Sequence, residues 1–222
     1  MSKIKNYLSE LYGNTEIKEC KYKTPIEIYY SQSCQDLFVC GVLNNKKNGT
    51  YLELGCSYPI EGNNTYLLES KFNWTGVSID IDDKKIDLFN KERTNLGIVQ
   101  DASKIDYDDL LSQYDNNHVD YLQIDVDDLK VTHEVLDNID FDKFNFSVIT
   151  FEHDMYRNGI SLKMKMKNLM KQKDYILVSE DVCNGSLQYP YEDWYINPKY
   201  VEKEHWEKYE CKTKLDIDIF FK

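Results

Sequence analysis

Seven short runs rich in apolar and β-branched residues recur between residues 50 and 196, with helix-length stretches between most of them. The runs are Thr50–Leu54, Thr75–Ile79, Gly97–Val99, Val119–Ile124, Phe146–Phe151, Tyr175–Ser179 and Trp194–Ile196. The helical stretches are Thr65–Lys71, Lys84–Glu92, Ile105–Tyr114, Val131–Ile139 and Ser161–Gln172. Strands alternating with helices of this length form βαβ units and a mostly parallel sheet. Such strands read as unbroken apolar runs because helices cover both faces, and Ser147-Val148-Ile149-Thr150-Phe151 has that character. The expected class is α/β, with helices on both faces of the sheet. A length of 222 residues suits one domain over 1–222. Within it, 1–48 reads as a preamble with helices near Ser2–Leu11 and Gln35–Leu43, 49–198 as the core, and 199–222 as an extension.

Charge narrows the function. The formal net charge of −12 argues against a nucleic-acid binder, which usually carries a basic face. Lys163, Lys165, Lys167, Lys171 and Lys173 form a local cluster, read as a solvated helix face. No run approaches the length of a membrane span, and Met1–Leu8 has no apolar signal core. None of the six cysteines stands in C-x-x-C spacing. A cytoplasmic protein with no membrane insertion and no nucleic-acid partner is expected, with the oligomeric state open.

In open α/β sheets ligands sit beyond the C-terminal strand ends, so the residues there carry the functional reading. After the first run stands Glu53-Leu54-Gly55-Cys56-Ser57. A glycine at this turn lets the backbone approach a ligand. The G-x-G-x-x-G of a pyrophosphate site is missing, which counts against a nicotinamide dehydrogenase. The longer polar loop (Glu61, Asn63, Asn64, Thr65) suits the amino-acid end of S-adenosylmethionine better. Asp80 follows Gly55 by 25 residues and is placed to accept from ribose hydroxyls; its alternative role is a helix cap. Asp101 reads equally as an acceptor for an adenine amino group or as a cap. Asp125, Glu152 and His153 end the fourth and fifth runs at one rim. Three readings stay open there: all three hold a divalent ion such as Mg²⁺ or Mn²⁺, His153 is a general base, or the group serves only as helix caps and rim ion pairs. Glu180 and Asp181 end the sixth run as candidate substrate contacts. Tyr189, Tyr191, Trp194, Tyr195 and Trp206 are candidates for stacking on a sugar, though such clusters are more often core, as expected for Trp194.

Several segments, in order, resemble the FkbM-family methyltransferases. They are Ser31-Gln32-Ser33-Cys34-Gln35-Asp36, Asn48 through Gly55, Gly62 through Glu69, Trp74 through Asp80, Val119 through Asp125, Phe146 through Asp154, and Glu192 through Tyr195. The resemblance runs from about Ser31 to Pro198. It implies a Rossmann-like class I methyltransferase fold, with a seven-stranded sheet ordered 3-2-1-4-5-7-6. It also implies S-adenosylmethionine as donor and an acceptor oxygen, often a sugar hydroxyl. By position, Gly55, Asp80 and Asp101 would hold the cofactor, Glu53 would steady the loop, and Gln32 and Asn64 would lie near the methionine end. Asp125, Glu152 and His153 would face a small-molecule or glycan acceptor. Cys34 stands where the family usually has glycine. Asp125-Val126-Asp127-Asp128 departs from the usual D-x-E-G. The rival functions are a ribose methyltransferase acting on nucleic acid and a non-catalytic binding module on the same fold.

Overall fold

The computed structural model describes residues 29–183 and 189–211, and the backbone of 215–216. The helix expected at Ser2–Leu11 lies outside the described residues. Among the described residues eight strands form one sheet: β1 Thr50–Leu54, β2 Thr75–Asp80, β3 Leu96–Val99, β4 His118–Ile124, β5 Asn145–Glu152, β6 Ile176–Cys183, β7 Glu192–Ile196 and β8 Leu215–Asp216. Their order is β3-β2-β1-β4-β5-β7-β6-β8. The first seven strands follow the expected order. The difference is β8, which pairs in parallel with Val182 and Cys183 at the edge. β7 runs antiparallel to both β5 and β6, and the β1–β5 block is parallel throughout.

The helices are α1 Gln35–Val42, α2 Tyr66–Phe72, α3 Asp83–Glu92, α4 Tyr107–Leu111, α5 Leu129–Asn138, α6 Met155–Asn158, α7 Ser161–Gln172 and α8 Lys203–Trp206. α3 and α5 start where the sequence places a cap. The Asp82 carboxylate accepts from the Lys84 and Lys85 amides, and Asp128 accepts from those of Lys130 and Val131. Among the described residues no helix is long and apolar enough to cross a membrane.

Strand alternation divides the core into two layers. Tyr51, Tyr121 and Val148 face α1 and α2, whereas their chain neighbours Leu52, Leu122 and Ile149 face α5 and α7. α1 belongs to the preamble in sequence but to the core in space. Its Phe38 ring stacks on Trp194 with centroids 4.5 Å apart. Trp194 is fully buried, as expected of a strand residue.

Two strands outrun their apolar runs, for one reason. β7 begins at Glu192 and Asp193, and both acids are buried. Burying a carboxylate is costly unless it finds donors. Glu192 takes the Gln35 side-chain amide at 2.7 Å, and Asp193 takes the Asp181 backbone N–H at 2.8 Å. β6 continues through Glu180 and Asp181 by way of a bulge, with Asp181 at φ 60°. Those two acids are therefore inside a strand, not beyond its end.

Candidate cofactor and acceptor cleft

A cleft of about 1320 Å³ lies over the C-terminal ends of β1, β2 and β4. This is where the topology switches, since β1 leads to β2 on one side and borders β4 on the other. Its tight point is Gly55, at φ +82°. The Gly55 N–H donates to the Ile79 carbonyl at 2.8 Å, and a Cβ there would lie 1.7 Å from the Asp125 carbonyl oxygen. Glycine thus lets two strand ends meet beneath the cleft.

Glu53 does not line the cleft; it holds the loop from behind. Its carboxylate accepts from Ser78 Oγ at 2.6 Å and Thr65 Oγ1 at 3.0 Å. Burial pushes Glu53 up, and the nearby Arg93 guanidinium opposes that. Arg93 ties the same loop together, donating to the Pro59 carbonyl at 2.8 Å and Asn63 Oδ1 at 3.0 Å. Nothing in the sequence marks Arg93 for this role, because it stands 40 residues from Glu53 in an ordinary polar stretch after α3.

Gly55, Asp80, Asp101, Asn64 and Gln32 all line the cleft. Asp80 accepts the Ser57 amide through Oδ2 and the Asp82 amide through Oδ1, both at 2.9 Å. Asp101 caps the short 3₁₀ turn Ala102–Lys104, with Oδ1 accepting from Ser103 N and Oγ. These bonds hold its carboxyl below the usual range. The cap is therefore formed, and Asp101 still borders the cleft. The lining also includes Ile81, an apolar side chain left 73 % exposed. Asn64 is buried, yet its Oδ1 has no hydrogen-bond partner. A buried unpaired oxygen is costly, and at a cleft wall it is placed to accept from a donor entering the cleft. Gln32 lies on the lip, where Ser31 bridges Gly62.

Asp125 and Glu152 also line the cleft, hydrogen-bonded to each other. Burial and then the Asp125 charge push Glu152 up so far that it keeps its proton at neutral pH. Burial also raises Asp125, while the hydrogen bond from Glu152 opposes the rise. The pair therefore shares one proton, as two partly buried carboxyls in contact tend to. Tyr156 and Arg157 on α6 complete this wall, and the exposed Tyr189 ring meets Tyr156 edge-on at 5.5 Å. Tyr191, Tyr195 and Trp206 are buried and present no stacking surface.

His153 is not part of this wall. Successive strand residues face opposite ways, so when Glu152 faces the cleft His153 turns away from it. The ring is buried, and Nδ1 accepts the Met155 N–H at 3.1 Å. With that lone pair engaged, the ring proton sits on Nε2, 3.4 Å from Asp193 Oδ1. His153, expected as a base at the acceptor or as a partner of Asp125 and Glu152 around Mg²⁺ or Mn²⁺, is not brought to the cleft beside those two carboxyls. The described groups whose ligand atoms do converge are His153–Asp181–Asp193, which is buried, and Glu202–Glu204–His205 at the surface.

Lys163 is a second correction. It stands in the run read as a solvated helix face, yet it is only 2 % exposed.

The lining is strongly acidic, with Lys85 and Arg157 the only cationic side chains among the residues that form it. Such a wall repels a pyrophosphate and suits a sulfonium cation.

No family model matches the sequence, and no curated protein matches it either. Solved structures do share the fold. A candidate rRNA methylase of Clostridium thermocellum superposes with a TM-score of 0.52 at 20% identity, over 77% of this chain and 97% of that one. An rRNA methylase of Streptococcus thermophilus gives 0.51 at 10% identity, over 78% and 99%. Magnesium protoporphyrin IX methyltransferase of Synechocystis PCC 6803, solved with bound SAM, gives 0.51 at 9% identity, over 75% and 79%. The chain therefore has the Rossmann-like α/β fold of class I methyltransferases.

Proposed function

We propose that this chain is an S-adenosylmethionine-dependent O-methyltransferase acting on a small-molecule or sugar hydroxyl, as its resemblance to the FkbM family implies. The observation that carries the reading is the cleft itself. It joins a glycine-turn site bearing Asp80, Asp101 and the unpaired Asn64 oxygen to a wall bearing a proton-sharing Asp125–Glu152 pair. The fold shared with the SAM-bound magnesium protoporphyrin IX methyltransferase supports the choice of cofactor.

The cofactor supplies an electrophilic methyl group. The chain supplies alignment and a place for the departing proton. A hydroxyl is a weak nucleophile at neutral pH, and its attack is assisted when a positioned base takes its proton. Asp125 is that base, and Glu152 holds its carboxylate in place by donating to it. No divalent ion is used in this scheme. Asp80 and Asp101 hold the nucleoside end, Asn64 and Gln32 the amino-acid end, and Gly55 and Glu53 keep the loop in shape.

The direct test is calorimetric titration with S-adenosylhomocysteine. The wild type is expected to bind, and Asp80→Ala to bind roughly 10- to 100-fold more weakly, the loss of hydrogen bonds to a charged acceptor. Absence of binding by the wild type overturns the proposal.

A further inference from the structure

The Ser31–Asp36 segment touches both halves of the cleft, and the proposed reaction uses only its Gln32. Ser31 pairs with Gly62 as a parallel bridge, and the Gly62 N–H donates to the Tyr30 carbonyl at 2.8 Å. One end is thereby joined to the loop after β1. Gln32 lines the cleft. The residues that follow reach the acceptor side. Ser33 Oγ and the Tyr191 hydroxyl share a hydrogen bond, and Gln35 Nε2 donates to Glu192 at 2.7 Å. All four of these residues are buried.

Two features make the segment stiff. The buried Asp36 carboxyl folds back onto it, accepting from the Tyr30 N–H at 2.8 Å, Ser31 Oγ at 2.5 Å and the Leu37 N–H at 2.8 Å. Those donors offset the cost of its burial. Cys34 stands at φ 59°, a left-handed conformation that disfavours a residue with a Cβ and persists only where its surroundings hold it. A shift at Gln32 is therefore passed on to Ser33 and Gln35, not absorbed by flexing.

Tyr191 carries it further. Its carbonyl accepts the His153 N–H at 2.7 Å and the Asp154 N–H at 3.1 Å. Those two residues lie between Glu152, on the cleft wall, and α6, which bears Tyr156 and Arg157. Glu192 is the cross-strand partner of Glu152.

We infer that the Ser31–Asp36 segment is a strap coupling the cofactor end of the cleft to the acceptor wall, with Ser33 and Gln35 as positioning residues for Glu152 and α6. The inference rests on the proposed cofactor. Bound cofactor engages Gln32, the strap draws on Tyr191 and Glu192, and the wall is held before the acceptor arrives. The contact that distinguishes the held state from the loose one is the contact to Gln32, and such a difference is what coupling requires.

The test is hydrogen exchange of the His153 and Asp154 amides, with and without saturating S-adenosylhomocysteine. In the wild type the ligand is expected to slow both by roughly 5-fold or more, a coupling of ordinary size. Ser33→Ala/Tyr191→Phe removes both partners of one tether and leaves neither hydroxyl unpaired. It should keep Tm near that of the wild type and lose at least about half of the slowing. Gln32→Ala, at an exposed position where folding is not at risk, should lose it too. A tether that is only structural changes exchange equally with and without ligand, so the ligand-dependent difference is what decides. Full slowing retained by either variant overturns the inference. So does a wild type that binds S-adenosylhomocysteine without slowing these amides, and the cofactor reading survives both results. A wild type that does not bind overturns the cofactor reading and the strap together.

Discussion

Asp125→Asn is expected to lower kcat/KM for methyl transfer by about 10²–10⁴ while leaving S-adenosylhomocysteine affinity within a few-fold. An amide cannot take the acceptor proton, but it fills the same space at the cleft wall. The pH profile gives an independent check. Asp125 acts only when ionised, and burial raises its pKa. Activity should therefore fall as pH drops through a limb lying above the ordinary carboxylate range. Glu152→Ala removes the hydrogen bond that opposes the rise, so the limb should move to higher pH.

Stability should change in the opposite direction. A group whose folded pKa is raised stabilises the fold below its unfolded pKa, and that contribution is lost as pH rises through the folded value. At pH 8 the wild type carries this cost, whereas Asp125→Asn does not. The variant is expected to melt no lower than the wild type there. A variant retaining a third or more of wild-type kcat/KM would remove Asp125 from the mechanism. A loss of activity accompanied by a large fall in Tm would mean that the residue is structural.

Gly55→Ala should be the most damaging single-methyl change in the cleft. Its backbone is at φ +82°, where an alanine is strained, and the added Cβ would meet the Asp125 carbonyl at 1.7 Å. Strain and overpacking together cost on the order of 3 kcal/mol, or a Tm lower by roughly 6–12 °C. Relief of the clash must move the loop or the end of β4, so S-adenosylhomocysteine binding should also be largely lost. Gly159→Ala is the control. It has a similar φ of +75° but nothing within 4 Å of the added methyl. Its ψ of −176° lies in a region essentially reserved for glycine, so the change should cost on the order of 1–3 kcal/mol in stability yet leave binding intact. Equal effects of the two substitutions on S-adenosylhomocysteine binding would show that the close approach at Gly55 is unimportant.

The regular elements were legible because apolar periodicity is a local property. β1 was predicted to the residue, and β4 and β5 to within one residue at each end. The capping aspartates before α3 and α5 follow from the same local chemistry. The misjudged boundaries lie at polar residues that the fold buries. Glu192 and Asp193 look like the end of a strand until Gln35, 157 residues from Glu192, supplies a donor. α4 is shorter than the Ile105–Tyr114 stretch suggested, covering Tyr107–Leu111 only.

The candidate site divides in the same way. The glycine turn and the acids at strand ends were visible, because a parallel sheet delivers the residue after each strand to one rim. Which way a side chain turns at that rim was not. Glu152 and His153 are adjacent in sequence and share a chemistry that invites joint use, yet the pleat sends one to the cleft and the other into the protein. Lys163 reads as one of five surface lysines, and only packing against β6 and β7 shows it buried on two aspartates.

The sequence by itself determined the order of strands and helices along the chain, the placement of acids at strand ends and the acidic net charge. These follow from the period of the pattern and from the residues next to each other in the chain. The tertiary structure alone decided the proton-sharing Asp125–Glu152 pair, the Arg93 tie behind the loop and the burial of Lys163 on Asp181 and Asp193. Each depends on charged groups from distant segments meeting where water is excluded, so that protonation and partner choice are set by distance and burial.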